Sequence, residues 1–186
     1  MELPSQLYEH WLSEPTVLRK HARHYLTDEV IPDELLEKLF AARNFNLGFD
    51  TIEYTVCALV DQALHQIPAD ELEGLDISEF EKSELQRLGM PDGIVMRHRP
   101  AHFAHLFASS SYASGYYVYL WAEVLDADGF DAFKETNDCF NKDVASKVRK
   151  YIYSSGNSLD PREAFKLFRG REAIVQPMLK KKGLLV

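Results

Sequence analysis

Apolar residues recur at helical spacing along most of the chain, and the alternation typical of strands is scarce. After a helix opening at residues 32–34, Leu35, Leu36, Leu39 and Phe40 form a stripe at i, i+1, i+4 and i+5. Proline and acids in a first turn favour a helix start, and such a stripe is the apolar face of an amphipathic helix. The pattern predicts an all-α fold, built as an irregular multi-helix bundle.

Prolines, glycines and capping residues indicate where these helices begin and end. Pro15 separates the first two helices, the second of which extends to Tyr25. Ser78, with Glu81 three residues later, is typical of a capping box. Gly156 and Gly170 are helix stops. Further helices are predicted over about 46–66, 113–126, 143–153 and 161–169, with a turn at 128–129 leading into a short helix through 133.

Composition sets the class of protein. A length of 186 residues with 46% hydrophobic content is enough for one domain, residues 1–186, with a sizeable core. Cys57 and Cys139, without a signal peptide, indicate buried thiols in a reducing compartment, so we expect a cytoplasmic protein. The longest apolar runs are too short to cross a membrane, so no membrane partner is expected.

Charge is unevenly distributed along the chain. Residues 1–140 hold 10 basic and 25 acidic residues, net −15, whereas residues 141–186 hold 11 and 4, net +7. A basic tail can bind nucleic acid, but the acidic majority would repel a phosphate backbone. The sequence therefore predicts no nucleic-acid partner, and the asymmetry favours a tail that lies against the acidic part.

The segment 105–121 combines one histidine, a small-residue loop and four tyrosines. In a helix that starts at the end of this loop, Tyr112, Tyr116 and Tyr119 stand at i, i+4 and i+7 and share one face. Phenol donors beside His105 suit the oxyanion that develops in acyl transfer. A tyrosine-rich core helix explains the same spacing and is the more common structure.

A second histidine pattern invites a metal-site hypothesis. His98, His102 and His105 fall at i, i+4 and i+7, a spacing that can chelate zinc on a helix. Pro100 lies inside the set and argues against a continuous helix. An independent histidine site is therefore disfavoured.

Short motifs along the whole chain resemble the thimet oligopeptidase and peptidyl-dipeptidase family of zinc metallopeptidases, with the tail closer to the peptidyl-dipeptidase branch. The resemblance covers essentially all 186 residues in family order. The motifs that carry it are Glu2-Leu3-Pro4-Ser5-Gln6, Glu9-His10-Trp11, Phe45-Asn46-Leu47-Gly48-Phe49, Phe103-Ala104-His105, Gly156-Asn157-Ser158, Phe168-Arg169-Gly170, Pro177-Met178-Leu179 and Gly183-Leu184.

The resemblance implies site residues. Glu2 matches the third ligand of a catalytic zinc, and Glu9, two turns further along the same face, could accept a hydrogen bond from a zinc-bound imidazole. The matching substrate contacts are His105, Ser110, Tyr112, Tyr116 and Tyr119. Among these, His105, Tyr116 and Tyr119 are the expected catalytic residues.

One family motif does not occur in the sequence. The resemblance implies that His-Glu-x-x-His, which supplies two ligands and the base, lies about two dozen residues before Glu2. We therefore expect the C-terminal part of a larger zincin-type catalytic domain. The intact enzyme would use zinc to hydrolyse short peptides, whereas this chain alone would bind no zinc and be inactive. Surface left open by the missing part predicts a homodimer. The alternative is a non-catalytic helical module that binds peptides.

Overall fold

The computed structural model describes residues 2–185, and within that range helices are joined by turns, with no β-strand. An isolated bridge pairs Arg23 with Val30. The α-helices of the described residues are α1 Leu3–Glu9, α2 Pro15–His21, α3 Asp33–Ala42, α4 Leu47–Leu64, α5 Ile77–Arg87, α6 Val118–Lys134, α7 Lys142–Val148, α8 Pro161–Arg169 and α9 Gln176–Lys181. The prediction of an all-α fold is confirmed.

Single helical turns complete the architecture. Short 3-10 turns occupy His10–Ser13, Ala69–Glu71, Pro100–His102 and Ala104–Phe107, and a π-helical turn, Arg149–Tyr153, follows α7 directly. Among residues 2–185, no helix is both long and apolar enough to span a membrane.

Helix ends follow local chemistry, with two corrections. The cap of α5 is Asp76, whose carboxylate accepts from the backbone N–H groups of Ser78 and Glu79 at 2.8 and 3.1 Å. The predicted Ser78 capping box is therefore wrong, because a carboxylate two residues earlier already binds these amides. Helix α2 ends at His21 and does not extend to Tyr25, which is exposed. The stop at Gly170 is confirmed, with φ +79°.

Helix α6 differs most from the prediction, because it starts at Val118 instead of Ala113 and runs to Lys134 without a turn at 128–129. Gly129 lies in its interior. A Cβ there would lie 3.3 Å from Cε1 of Phe168 and 3.7 Å from Cδ1 of Leu7. The glycine therefore serves close packing, which outweighs its low helix propensity.

The described residues form two compact units, with the boundary inside α6. Unit 1 consists of residues 2–45 and 121–185, and unit 2 of residues 46–120. That residues 1–186 form one domain stays a prediction.

The core of unit 1 forms around the aromatic face of α6. Its buried members are Leu7, Phe130, Ala132, Phe133, Val148, Phe165 and Phe168. The ring of Trp11 packs edge-on against Phe130 and Phe133, with centroids 4.8 and 5.0 Å apart. Its indole N–H donates to the carbonyl of Cys139 at 2.8 Å, so this half-buried side chain has no unmet donor.

Acidic residues of α6 bind basic residues of the tail. Asp126 Oδ1 lies 2.5 Å from Nε2 of His10 and 3.3 Å from Nζ of Lys181. Two residues on, both guanidinium NH groups of Arg171 donate to Asp128 at 2.6 Å. Within unit 1 the basic tail therefore lies against acidic residues, as the charge asymmetry predicts.

The carboxylate of Asp128 is the centre of a buried ion cluster. It is fully buried and also accepts from Arg169 Nε and from the backbone N–H of Ile174, each at 3.0 Å. Burial raises the pKa of Asp128, but hydrogen bonds from Arg171 and Ile174 lower it more, so it lies below its usual range. Arg169 also binds Glu135, which extends the cluster to the surface.

The core of unit 2 lies between α4, α5 and the segment that follows α5. Its buried members are Val56, Cys57, Val60 and Met96, and the ring of Tyr116 packs against them. Ile52 and Leu59 of α4 are exposed.

Candidate functional site

The histidine and tyrosines of the 105–121 segment meet around an open pocket in unit 2. Its volume is about 390 Å³, and its lining residues are Tyr54, Phe103, His105, Tyr116 and Tyr119. The three expected catalytic residues therefore lie together. Tyr54 has no counterpart among the predicted site residues.

His105 lies at the centre of this aromatic group. Its ring centroid is 4.9 Å from that of Tyr112, 5.8 Å from Tyr116 and 6.1 Å from Tyr119. The hydroxyl of Tyr119 lies 3.5 Å from Nε2 of His105, at the limit of a hydrogen bond. The rings of Tyr116 and Tyr119 are 5.5 Å apart. A histidine nitrogen and several phenols thus border one opening.

The three tyrosines do not share one helical face. Helix α6 begins at Val118, so only Tyr119 lies in a helix, while Tyr112 and Tyr116 lie in the turns before it. Within these turns Ser114 has φ +57°, in the left-handed region. The N–H of Tyr116 donates to the side chain of Asp61 instead of the carbonyl four residues earlier. Helical hydrogen bonding therefore does not extend back through Tyr116.

Asp61 of α4 holds the turn that leads to Tyr116. Its fully buried carboxylate accepts from the N–H groups of Ser114 and Tyr116 at 3.1 and 2.9 Å. Nδ1 of His65 lies 2.8 Å from the same carboxylate. The neighbouring Gln62 donates its amide to the carbonyl of Ser114 at 2.6 Å. Asp61 is not among the site residues predicted from the sequence, because no local pattern distinguishes a buried helical carboxylate from a solvated one.

Tyr54, two turns earlier on α4, binds the other side of the same turn. Its hydroxyl donates to the carbonyl of Tyr116 and accepts from the N–H of Leu120 at 3.3 Å. Burial raises the pKa of Tyr54 far above its usual value and also raises the pKa of Tyr116. Both phenols therefore keep their protons at neutral pH and remain hydrogen-bond donors.

Ser110 lies exposed in the loop beside the pocket and does not line it. The hydroxyls of its neighbours Ser109 and Ser111 are 2.7 Å apart and hydrogen-bonded to each other. A contact of Ser110 with substrate stays a prediction.

The histidine trio does not form a metal site. Pro100–His102 is a 3-10 turn instead of part of a continuous helix, and His98 stacks on Phe103 with centroids 4.5 Å apart. Residues 2–185 contain no group of three or more histidine, cysteine or acidic side chains placed to hold a metal ion. Arg99 is bound to Glu81 at 2.8 Å.

The predicted zinc ligand lies in unit 1. Glu2 immediately precedes α1, and its half-buried carboxylate accepts from the hydroxyl of Ser5 at 3.2 Å. Glu9 ends the same helix and is exposed. A carboxylate on a helix start fits one position of a His₂Glu zinc site, and two imidazoles would have to come from outside the described residues.

Comparison with known proteins identifies the family of this chain. The profile of Peptidase family M3 matches residues 1–184. The dipeptidyl carboxypeptidase of Escherichia coli (strain K12) is 36% identical over 186 residues, which cover 99% of this chain and 27% of that protein. The oligopeptidase A of Escherichia coli (strain K12) is 37% identical over 185 residues, with 99% and 27% covered.

Saccharolysin of Saccharomyces cerevisiae (strain ATCC 204508 / S288c) is 30% identical over 185 residues, which cover 99% of this chain and 25% of the yeast protein. The chain spans about a quarter of the length of the curated relatives it matches. The resemblance seen in the sequence is confirmed: this chain belongs to peptidase family M3.

Proposed function

We propose that the chain is part of the catalytic domain of a zinc metallopeptidase that hydrolyses short peptides. The observation that carries the proposal is the pocket in which His105 meets Tyr116 and Tyr119, within a chain matched to the M3 family from residue 1 to 184. Relatives named dipeptidyl carboxypeptidase and oligopeptidase A support a peptide substrate.

In this proposal the pocket stabilises the oxyanion of peptide hydrolysis. The phenol hydroxyls of Tyr119 and Tyr116 donate hydrogen bonds to the oxyanion of the tetrahedral intermediate, and His105 donates one to the peptide beside it. Tyr112, half exposed at the rim, and Ser110 in the adjoining loop contact the substrate backbone. One such donor lowers the barrier by roughly 2.7–4 kcal/mol.

The metal is assigned through one carboxylate of this chain. Glu2 would be a zinc ligand, with Glu9 orienting a zinc-bound imidazole from the rest of the enzyme. Bound zinc supplies an activated water and polarises the scissile carbonyl. Glu2→Gln in the full-length gene product should lower zinc content measured by atomic absorption, whereas Glu14→Gln, an acid outside α1, should retain it.

The decisive experiment is Tyr119→Phe in the full-length gene product, assayed with a fluorogenic short peptide. We expect kcat to fall roughly 10²–10³-fold with little change in KM, because the hydroxyl acts on the transition state. Tyr117→Phe is the matched control, since Tyr117 is an exposed tyrosine of the same segment outside the pocket. An unchanged kcat for Tyr119→Phe would refute the proposed role.

The proposal also covers the mode of cleavage, the location of the protein and its oligomeric state. Release of C-terminal dipeptides, expected from the resemblance to the peptidyl-dipeptidase branch, is tested by mass spectrometry of the products. We also propose a cytoplasmic protein and a homodimer of the 186-residue chain, which size-exclusion chromatography would detect. The chain alone should show no zinc-dependent turnover, and measurable turnover would contradict the assignment of the remaining ligands elsewhere.

A further inference from the structure

Both polar main-chain groups of Tyr116 are bound by side chains of a single helix. Its N–H donates to Oδ2 of Asp61 at 2.9 Å, and its carbonyl accepts from the hydroxyl of Tyr54. These two residues are seven apart on α4, two turns along the same face. Helix α4 therefore binds the peptide unit on each side of the Tyr116 side chain.

The same two side chains also bind the residues around Tyr116. Asp61 accepts from the N–H of Ser114, and Tyr54 accepts from the N–H of Leu120. Leu120 lies in the first turn of α6, where backbone amides have no partner within the helix. The hydrogen bonds thus bind the backbone on both sides of Tyr116.

A buried carboxylate is costly unless every lone pair is used. Asp61 is fully buried and accepts from two backbone N–H groups in this turn, and Nδ1 of His65 lies 2.8 Å from its carboxylate. Asp61 therefore binds backbone amides of the turn. Fixing the backbone at Tyr116 also limits where the Tyr116 side chain can lie. Donors aimed at an oxyanion must be positioned to within about 0.5 Å.

We propose that Tyr54 and Asp61 are positioning residues, which place the hydroxyl of Tyr116 at the pocket. This inference rests on the proposed peptidase function. Neither residue donates to the substrate, because the hydroxyl of Tyr54 and the carboxylate of Asp61 are bound to the backbone of residues 114–120.

A double-mutant cycle in the full-length gene product tests the inference. Tyr54→Phe keeps the ring and removes both hydrogen bonds, so kcat should fall about 10²-fold, with a much smaller change in KM. In a Tyr116→Phe background the same substitution should cost less than about threefold, because the hydroxyl it positions is already gone. A purely structural role would give the same loss in both backgrounds, and that result would overturn the inference.

The kinetic outcomes distinguish the oxyanion role of Tyr116 from the positioning role of Tyr54. If Tyr116→Phe alone leaves kcat unchanged, the oxyanion role of Tyr116 fails and the inference falls with it. If Tyr116→Phe lowers kcat but Tyr54→Phe does not, or acts additively, only the positioning role fails. Tyr117→Phe serves as the control for each assay.

Amide hydrogen exchange in the 186-residue chain gives a readout independent of activity. Asp61→Asn leaves the side-chain shape but places an NH₂ group where an acceptor is needed. Exchange at Ser114 or Tyr116, whichever amide faces the new NH₂ group, should accelerate about tenfold, while amides of α5 keep their wild-type rates. Unchanged exchange at both positions would overturn the role of Asp61. If Asp61→Asn also accelerates exchange in α5, the substitution has loosened the whole unit. The exchange rate of the Leu120 amide in Tyr54→Phe then tests the inference: faster exchange supports it, and unchanged exchange overturns it.

Discussion

Replacing Asp128 with alanine should destabilise unit 1 by more than the loss of an exposed ion pair. The buried carboxylate binds Arg169, Arg171 and the N–H of Ile174. The side chain of Arg169 is only 7% exposed, so the substitution leaves a nearly buried cation with Glu135 as its remaining ionic partner. Breaking a buried pair from one side costs roughly 3–5 kcal/mol.

Urea unfolding followed by tryptophan fluorescence measures this loss. Both tryptophans of the chain, Trp11 and Trp121, belong to unit 1, so the signal reports on the unit that contains Asp128. The matched control is Glu34→Ala, which removes an exposed i,i+4 pair with Lys38 and should cost about 0.3–0.5 kcal/mol. A loss below about 1 kcal/mol for Asp128→Ala would refute the view that this cluster anchors the tail.

Three further predictions concern stability and reactivity. The folded pKa of Asp128 lies below its unfolded value, so its contribution is present above pH ~4 and is lost as pH falls through the folded pKa. Acid unfolding should show a smaller pH-dependent loss for Asp128→Asn than for the wild type, and identical pH curves would contradict this. Phe130→Ala should cost about 3–5 kcal/mol in urea unfolding, whereas exposed Phe140→Ala should stay within about 0.5 kcal/mol; equal losses would argue against the assigned core. Burial raises the pKa of Cys57, so Cys139 should react first with a thiol reagent, and equal rates would contradict the burial of Cys57.

The fold could be predicted where local signals act alone. The helix opening before Asp33 and the stop at Gly170 need only prolines, acids and glycine, and the structure has both at the predicted residues. Gly129 was misread because its function is contact with Phe168, almost forty residues later. Tertiary packing overrides a turn signal in this case, and no window of local sequence contains that information.

The candidate site shows the same division. The resemblance identified His105, Tyr116 and Tyr119, and the structure brings them to one pocket. The helical spacing assumed for the tyrosines was wrong, because Asp61 and Tyr54 bind the backbone before the helix can start. Hydrogen-bond partners this far apart in the chain produce no periodic pattern. The interactions that hold the Tyr116 backbone could therefore not be predicted from the sequence.

Helix α4 binds position 116 through its main-chain N–H and C=O, which every residue except proline possesses. The side chain at this position can therefore be exchanged without removing either hydrogen bond. A histidine, glutamate or lysine introduced at 116 would start from the same backbone attachment at the pocket. Position 116 is therefore suited to engineering, because a new acid–base side chain can be introduced there without changing how the backbone is held.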